Sequence, residues 1–367
     1  MTATATEGSG RERAPAATAL HVLPEVLRTA LDWTNAHRAE FALPADALDA
    51  HTDVNATFKP LGELAQLCVT IRRDTEPGTP EHTAADGLVA FAWEQVERGA
   101  LLLELLRAEP FASYPYEIYA AFAAEGLRHE GFERLAHTLG ATRSWAHIEQ
   151  HPNRQLGLVN SERRVGTVAH ADSGTVLSRT WLGGLAEPWM FEGPSGYALT
   201  HTVFHLTDWG GAPDRLPESL AAYLRTWLPA WTDGCLESGH WDLAGELLAV
   251  AAVLPGPPAP ALLDTAWPVL ADVQDAGGSI PETGPPARRN GTSSAPGGGT
   301  TSPVAGATSP VAGATSPVAG ASDPYPFYDC YHSTLVTAFA AALSLRALRS
   351  PPSLRSAGAQ GRERQTA

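Results

Sequence analysis

An all-α fold of antiparallel helical hairpins is predicted by three observations. Apolar residues recur at three- and four-residue spacing through most of the chain, the period of a helix with one buried face. Runs that are both β-branched and alternating are scarce, and RRVGTVAH is the best of them. The breaks between periodic stretches are short clusters containing Pro-Gly or Asp-Gly, as helix–loop–helix connections require.

The elements follow in order. LPEVLRTALDWTNAHR places Leu23, Val26, Leu27, Ala30 and Leu31 on one face, and LGELAQLCVTIRRD repeats that pattern. DGLVAFAWEQVERGALLLELLRAE reads as one long helix, and EIYAAFAAEGLRHEGF as another. Further helices are predicted over YALTHTVFHLTDWG, PESLAAYLRTWLPAW, DLAGELLAVAAVL, ALLDTAWPVLADVQ and HSTLVTAFAAALSLRAL. Helices of ordinary length with short loops make hairpins that close into an α/α toroid or stack as an open solenoid.

The predicted domain spans 20–350. Residues 1–19 and 351–367 are small and polar without apolar period, and disorder is expected there. A third such stretch, 281–322, carries the heptad TSPVAGA three times, from Thr301, Thr308 and Thr315. Each repeat holds Pro and Gly and no large side chain, so it cannot offset its ordering entropy. It reads as a surface insertion before the last hairpin.

The net charge of −15 argues against nucleic acid and anionic membranes as partners. Lys59 is the only lysine, a bias typical of high-GC bacterial genomes. The first twenty residues have no apolar core of a signal peptide, and no continuous apolar run reaches the roughly 18 residues of a membrane span. Cys68, Cys235 and Cys330 are an odd, widely spaced set, which suits reduced buried thiols. A soluble, cytoplasmic protein is expected.

Four stretches carry candidate chemistry. In YALTHTVFHLTDWGG, a helix would put His201, His205 and Asp208 on one face, a donor set suited to zinc or iron; the structural alternative is a helix face bonded to carbonyls. In WTDGCLESGHWDLAGELL, Asp233 and Cys235 can present carboxylate and thiolate together. Asp242 and Glu246 follow at i and i+4. Asp242 suits a helix N-terminus, whereas Glu246 inside an apolar run needs a partner. LADVQDAGGSIP, with Gln274 and Asp275, reads as a helix end and tight turn. In YDCYHSTL, Asp329 is expected to cap a helix beginning near Tyr331. His332 would then lie in its first turn, where the helix dipole keeps the ring neutral.

QDAGGSIP followed by DCYHSTLVTAFAAALSL resembles the terminal repeats of the α/α-toroid superfamily that includes terpenoid cyclases and protein prenyltransferase β-subunits. The likeness runs from Trp231 onward. It implies closure into a toroid. The prenyltransferase pattern implies zinc, with Asp233, Cys235 and His332 as the matching ligands. The acid and diphosphate motifs of the cyclases are absent. The chain is also similar to uncharacterised high-GC bacterial toroid proteins with a YxLTH…F…TDxG helix. The function expected is an enzyme of specialised metabolism acting on a small molecule or peptide by cyclisation, transfer or hydrolysis. His201, His205, Asp208, Glu246 and His332 would line its central cavity. The competing class is a non-catalytic scaffold that binds a peptide or protein.

Overall fold

Leu23, Val26, Leu27, Ala30 and Leu31, the stripe that predicts the first helix, are all buried on α1 (Ala17–Ala36). The computed structural model describes residues 17–49, 51–256, 259–285 and 324–349. Among the described residues there is no strand; β pairing is confined to an isolated antiparallel bridge between His240 and Thr283.

α2 (Val54–Asp74) starts where the Asp53 carboxylate accepts the Ala56 amide at 3.1 Å, and α3 (Pro80–Gln95) where the Thr79 hydroxyl accepts the His82 amide at 3.2 Å. Both caps satisfy amides that a helix start leaves without intrahelical partners. The long helix expected over 86–109 is two. Arg98 and Gly99 adopt positive φ between α3 and α4 (Ala100–Ala108). A Cβ on Gly99 would stand 2.8 Å from the Cβ of His129, so only glycine permits this close turn. The next expected helix also divides, into α5 (Tyr114–Ala124) and α6 (Glu130–Gly140).

After α7 (Arg143–Ala146) comes α8 (Pro152–Val165), which ends on Gly166 at φ 90°. The strand candidate RRVGTVAH is thus the last turn of a helix and its exit. α9 (Ser173–Leu177) is short; α10 (Gly193–Leu206) and α11 (Glu218–Ser238) are longer. α12 (Trp241–Val253) is buried along its whole length, α13 (Pro260–Val273) follows, and α14 (Tyr331–Arg349) closes the described chain. Apolar residues all round α12 and most of α14 are what central helices need.

Six helices pack in succession: α2 on α5, α5 on α8, α8 on α10, α10 on α12, α12 on α14, and α14 back on α2. The others lean on these. α1 packs on α14, α13 and α3; α11 packs on α12 and α13; α4 packs on α5 and α6. No helix of the described residues is long and apolar enough to cross a membrane.

Two expected disordered stretches begin differently. Residues 17–19 already belong to α1, because Ala19 is buried and its amide donates to Asp264 Oδ1 at 2.9 Å; 1–16 lie outside the described residues. The expected insertion at 281–322 yields its first five residues to the fold. Gly284 donates to the Gly239 carbonyl at 2.9 Å, Asp242 to the Glu282 carbonyl at 3.2 Å, and Glu282 to the Asp329 carbonyl at 2.9 Å. The rest of that insertion from 286, with its TSPVAGA repeats, and the tail 351–367 lie outside the described residues. QDAGGS is the expected tight turn: Gln274 Nε2 donates to the Gly278 carbonyl at 2.9 Å and Asp275 accepts the Ser279 amide at 2.7 Å.

Candidate functional site

Each of the six successively packed helices places polar side chains on one shared cavity. α2 contributes Lys59, Glu63 and Gln66; α5 contributes Tyr114 and Glu117; α8 contributes Arg154, Asn160 and Arg164. α10 contributes Tyr197, His201 and His205, α12 Asp242 and Glu246, and α14 His332. With Phe58, Phe204, Trp209 and Phe339 they line one cavity of about 660 Å³, a volume suited to a small organic ligand.

His332 is the centre of one wall. Its Nδ1 donates to Glu63 Oε2 at 2.9 Å, and its Nε2 faces Asp242 Oδ1 at 3.5 Å and Glu246 Oε1 at 3.7 Å. Burial opposes the charged ring, but Glu63, Asp242 and Glu246 outweigh it and hold the imidazole well above its ordinary 6.5. His332 is therefore an imidazolium at neutral pH. The first-turn dipole predicts a neutral ring; three carboxylates at short range overcome a half-charge spread over a helix end.

The two carboxylates of α12 differ. Glu246 accepts the Thr200 hydroxyl and faces His201 Nδ1 at 3.7 Å. Burial works against its charge, yet His201 and His332 keep it below the ordinary glutamate range. Asp242 accepts the Tyr197 hydroxyl on Oδ2 at 2.8 Å. Burial, with Glu246 and Glu282 adding, pushes its carboxyl up to about 6 against the pull of His332 and Tyr197. Asp242 Oδ1 is buried and has no hydrogen-bond partner among the described residues.

His201 Nδ1 donates to the Tyr197 carbonyl at 2.9 Å, and its ring lies 6.0 Å from that of His205. Burial, with His201, Arg154 and Arg164 adding, holds His205 well below 6.5, so it is neutral. Its Nε2 is buried without a partner among the described residues. Gly157 lets α8 approach this ring: a Cβ there would sit 3.0 Å from His205 Cε1 and Nε2. Across the cavity the arginines are neutralised. Arg154 donates to both carboxylate oxygens of Glu117 at 2.8 Å, and Arg164 donates to Asp208 at 2.6 Å and to Gln66 at 2.6 Å.

His201, His205, Glu246 and His332 thus share one cavity. Asp208 does not join them. α10 ends at Leu206, and the chain turns at Asp208 and Trp209 with φ 53°, which leaves Trp209 on the cavity lining and Asp208 off it. Its carboxylate holds Arg164 and the Asn160 amide from behind. The zinc set does not assemble. Asp233 is exposed on α11, Cys235 is buried, and neither lines the cavity. Burial pushes the Cys235 thiol up to about 12, whereas zinc takes a thiolate. Both ring nitrogens of His332 already face carboxylates, so its imidazolium has no lone pair for a metal. Among the described residues no group of three or more His, Cys, Asp or Glu is placed to hold a metal ion. Cys330 supplies the carbonyl that accepts the Thr334 amide at 3.0 Å, so it, rather than Asp329, stands at the start of α14.

Glu63, Tyr197, Asn160, Arg154 and Arg164 are site residues that sequence reasoning passes over. Their signal is a second polar stripe, such as Lys59-Glu63-Gln66 and Arg154-Asn160-Arg164, which looks the same as a solvated helix face until the helices are assembled.

The fold and site define an all-helical protein with a charge-rich cavity. The family profile described as Domain of unknown function (DUF6895) matches residues 27–342. The chain belongs to that family. No curated protein and no solved structure matches it.

Proposed function

We propose that this chain is an acid–base enzyme acting on a small molecule or peptide segment in the cavity, with Asp242 as the group that exchanges the proton. One observation carries the reading. A buried carboxyl on a cavity-lining residue has Oδ1 3.5 Å from His332 Nε2 and without a hydrogen bond, and burial with its acidic neighbours pushes it up to about 6, where a group can both give and take a proton. Glu246 and the His332 imidazolium are the fixed charges beside it. Tyr197 orients it through Oδ2. Neutral His205 offers a second proton-handling nitrogen. Such a pair serves cyclisation, group transfer or hydrolysis. The succession of helix contacts from α2 round to α14 and back to α2 supports the closed α/α toroid that the resemblance implies.

Untargeted mass spectrometry tests the reading. Small-molecule extract is incubated with the wild-type protein and with Asp242→Asn. At least one mass should be consumed and another formed with the wild type alone. Identical profiles with both folded proteins would remove the catalytic reading. They would leave the non-catalytic scaffold, which the rings of Phe58, Tyr114, Phe204, Trp209 and Phe339 along the cavity favour.

A further inference from the structure

The charge in the cavity is not evenly placed. On one wall four carboxylates, Glu63, Asp242, Glu246 and Glu282, stand with the His332 imidazolium and the His201 ring. Lys59 is at the exposed rim, 3.9 Å from Glu63. On the facing wall each arginine already has its own carboxylate, Arg154 with Glu117 and Arg164 with Asp208. The acidic wall therefore carries surplus negative charge, and the facing wall has no corresponding surplus of positive charge.

Independent observations show where a ligand's polar atoms belong. His205 is 6% exposed and Asn160 is 3% exposed. His205 Nε2 and Asn160 Oδ1 are buried atoms of cavity-lining residues, without hydrogen-bond partners among the described residues. Asp242, 5% exposed, leaves Oδ1 without a hydrogen bond on the acidic wall, although His332 Nε2 stands 3.5 Å away. Buried polar atoms are nearly always paired in a working protein. Two of the three, a carboxylate oxygen and an amide oxygen, accept hydrogen bonds only. Their complement is a donor, and beside the surplus negative charge a cationic donor.

We propose that the cavity takes a small organic amine, seated with its ammonium against Asp242 Oδ1 and the carboxylates of Glu246 and Glu282, and with a second donor reaching Asn160 Oδ1. Glu282 sits on the segment whose backbone bonds to Asp242 and Asp329, so it holds the amine end from the chain's loop side. The rings of Phe204, Trp209 and Phe339 supply the apolar surface between the two polar ends. The inference deepens the enzyme reading by naming the substrate class, but it stands on binding alone.

The test is a panel of matched fragments on shared aromatic scaffolds, each carrying a primary amine, a hydroxyl or a carboxylate. An amidated tripeptide with a free or acetylated N-terminus is included. Binding is read by ligand-observed NMR and titration calorimetry. Amines should bind about tenfold tighter than their hydroxyl counterparts, as a charge-assisted hydrogen bond in a buried site gives. Carboxylates should bind weakest. Asp242→Asn should remove most of that amine advantage and leave the hydroxyl members unchanged. Glu282→Gln, at an exposed position that does not endanger folding, should reduce it severalfold. A preference for the free over the acetylated tripeptide supports the same site with a peptide amine as its source. Amines and alcohols binding alike, carboxylates binding tightest, no amine binding, or an amine advantage that survives both substitutions would each overturn the proposal. Amine binding without turnover in the mass-spectrometric experiment would retain this inference and remove the catalytic one.

Discussion

Asp242 gives a sharp stability prediction. Its carboxyl sits near 6 in the folded chain against an ordinary 3.8. At about 1.36 kcal/mol per pH unit, that distance is worth about 3 kcal/mol. The sign follows from proton binding. A carboxyl whose folded pKa is raised holds its proton more tightly when folded. Its contribution is therefore complete below 3.8 and is lost as pH rises through about 6. The groups that set the value are Glu246 on the same helix, Tyr197 on α10, His332 on α14 and Glu282 on the loop. Asp242→Asn removes the titration and leaves an oxygen to accept the Tyr197 hydroxyl. Urea unfolding followed by tryptophan fluorescence, run from pH 3.5 to 7.5 on both proteins, isolates the term. The stability of the wild type relative to Asp242→Asn should fall by about 3 kcal/mol across that range, most steeply between 4 and 6. A difference that stays level across the range would refute the assignment of a raised carboxyl to this position.

Further outcomes follow from the same geometry. His332→Leu leaves Glu63, Asp242 and Glu246 facing one another, and should cost about 3–5 kcal/mol at pH 6 by chemical denaturation. The raised imidazolium contributes fully below 6.5 and fades above it, while the lowered carboxylates of Glu63 and Glu246 contribute above 4.5 and fade below it. The deficit should therefore be largest between those values. Gly157→Ala presses a methyl group onto the His205 ring, and should lower stability by about 1–3 kcal/mol and shift the His205 ring resonances in NMR spectra. Cys235 should resist iodoacetamide at pH 8 in the folded protein and react once unfolded, since burial keeps the thiol protonated; equal labelling rates in both states would contradict its burial.

Local sequence carried a good part of this. The helices and the buried stripe of α1 follow from apolar spacing. Glu246 inside an apolar run announced that a partner existed. The same local rules misread other places, Gly99, Asp208 and His332 among them. Gly99 divides an expected helix because it packs under His129, a contact invisible in the local pattern. Asp208 leaves the face of His201 and His205 because α10 ends two residues earlier than helical spacing assumes. His332 is charged because residues from three other positions in the chain surround it.

What the sequence determined by itself is the all-helical class, since periodicity and caps are local properties of neighbouring residues. What the tertiary structure decided is the cavity and its chemistry. Glu63 and His332 are 269 positions apart and hydrogen-bonded. Tyr197 reaches Asp242 across helices, and Cys235, adjacent to suggestive residues in sequence, lies away from the cavity. Charge and proton affinity depend on distance in space and on exclusion of water, and neither quantity exists until the helices have packed.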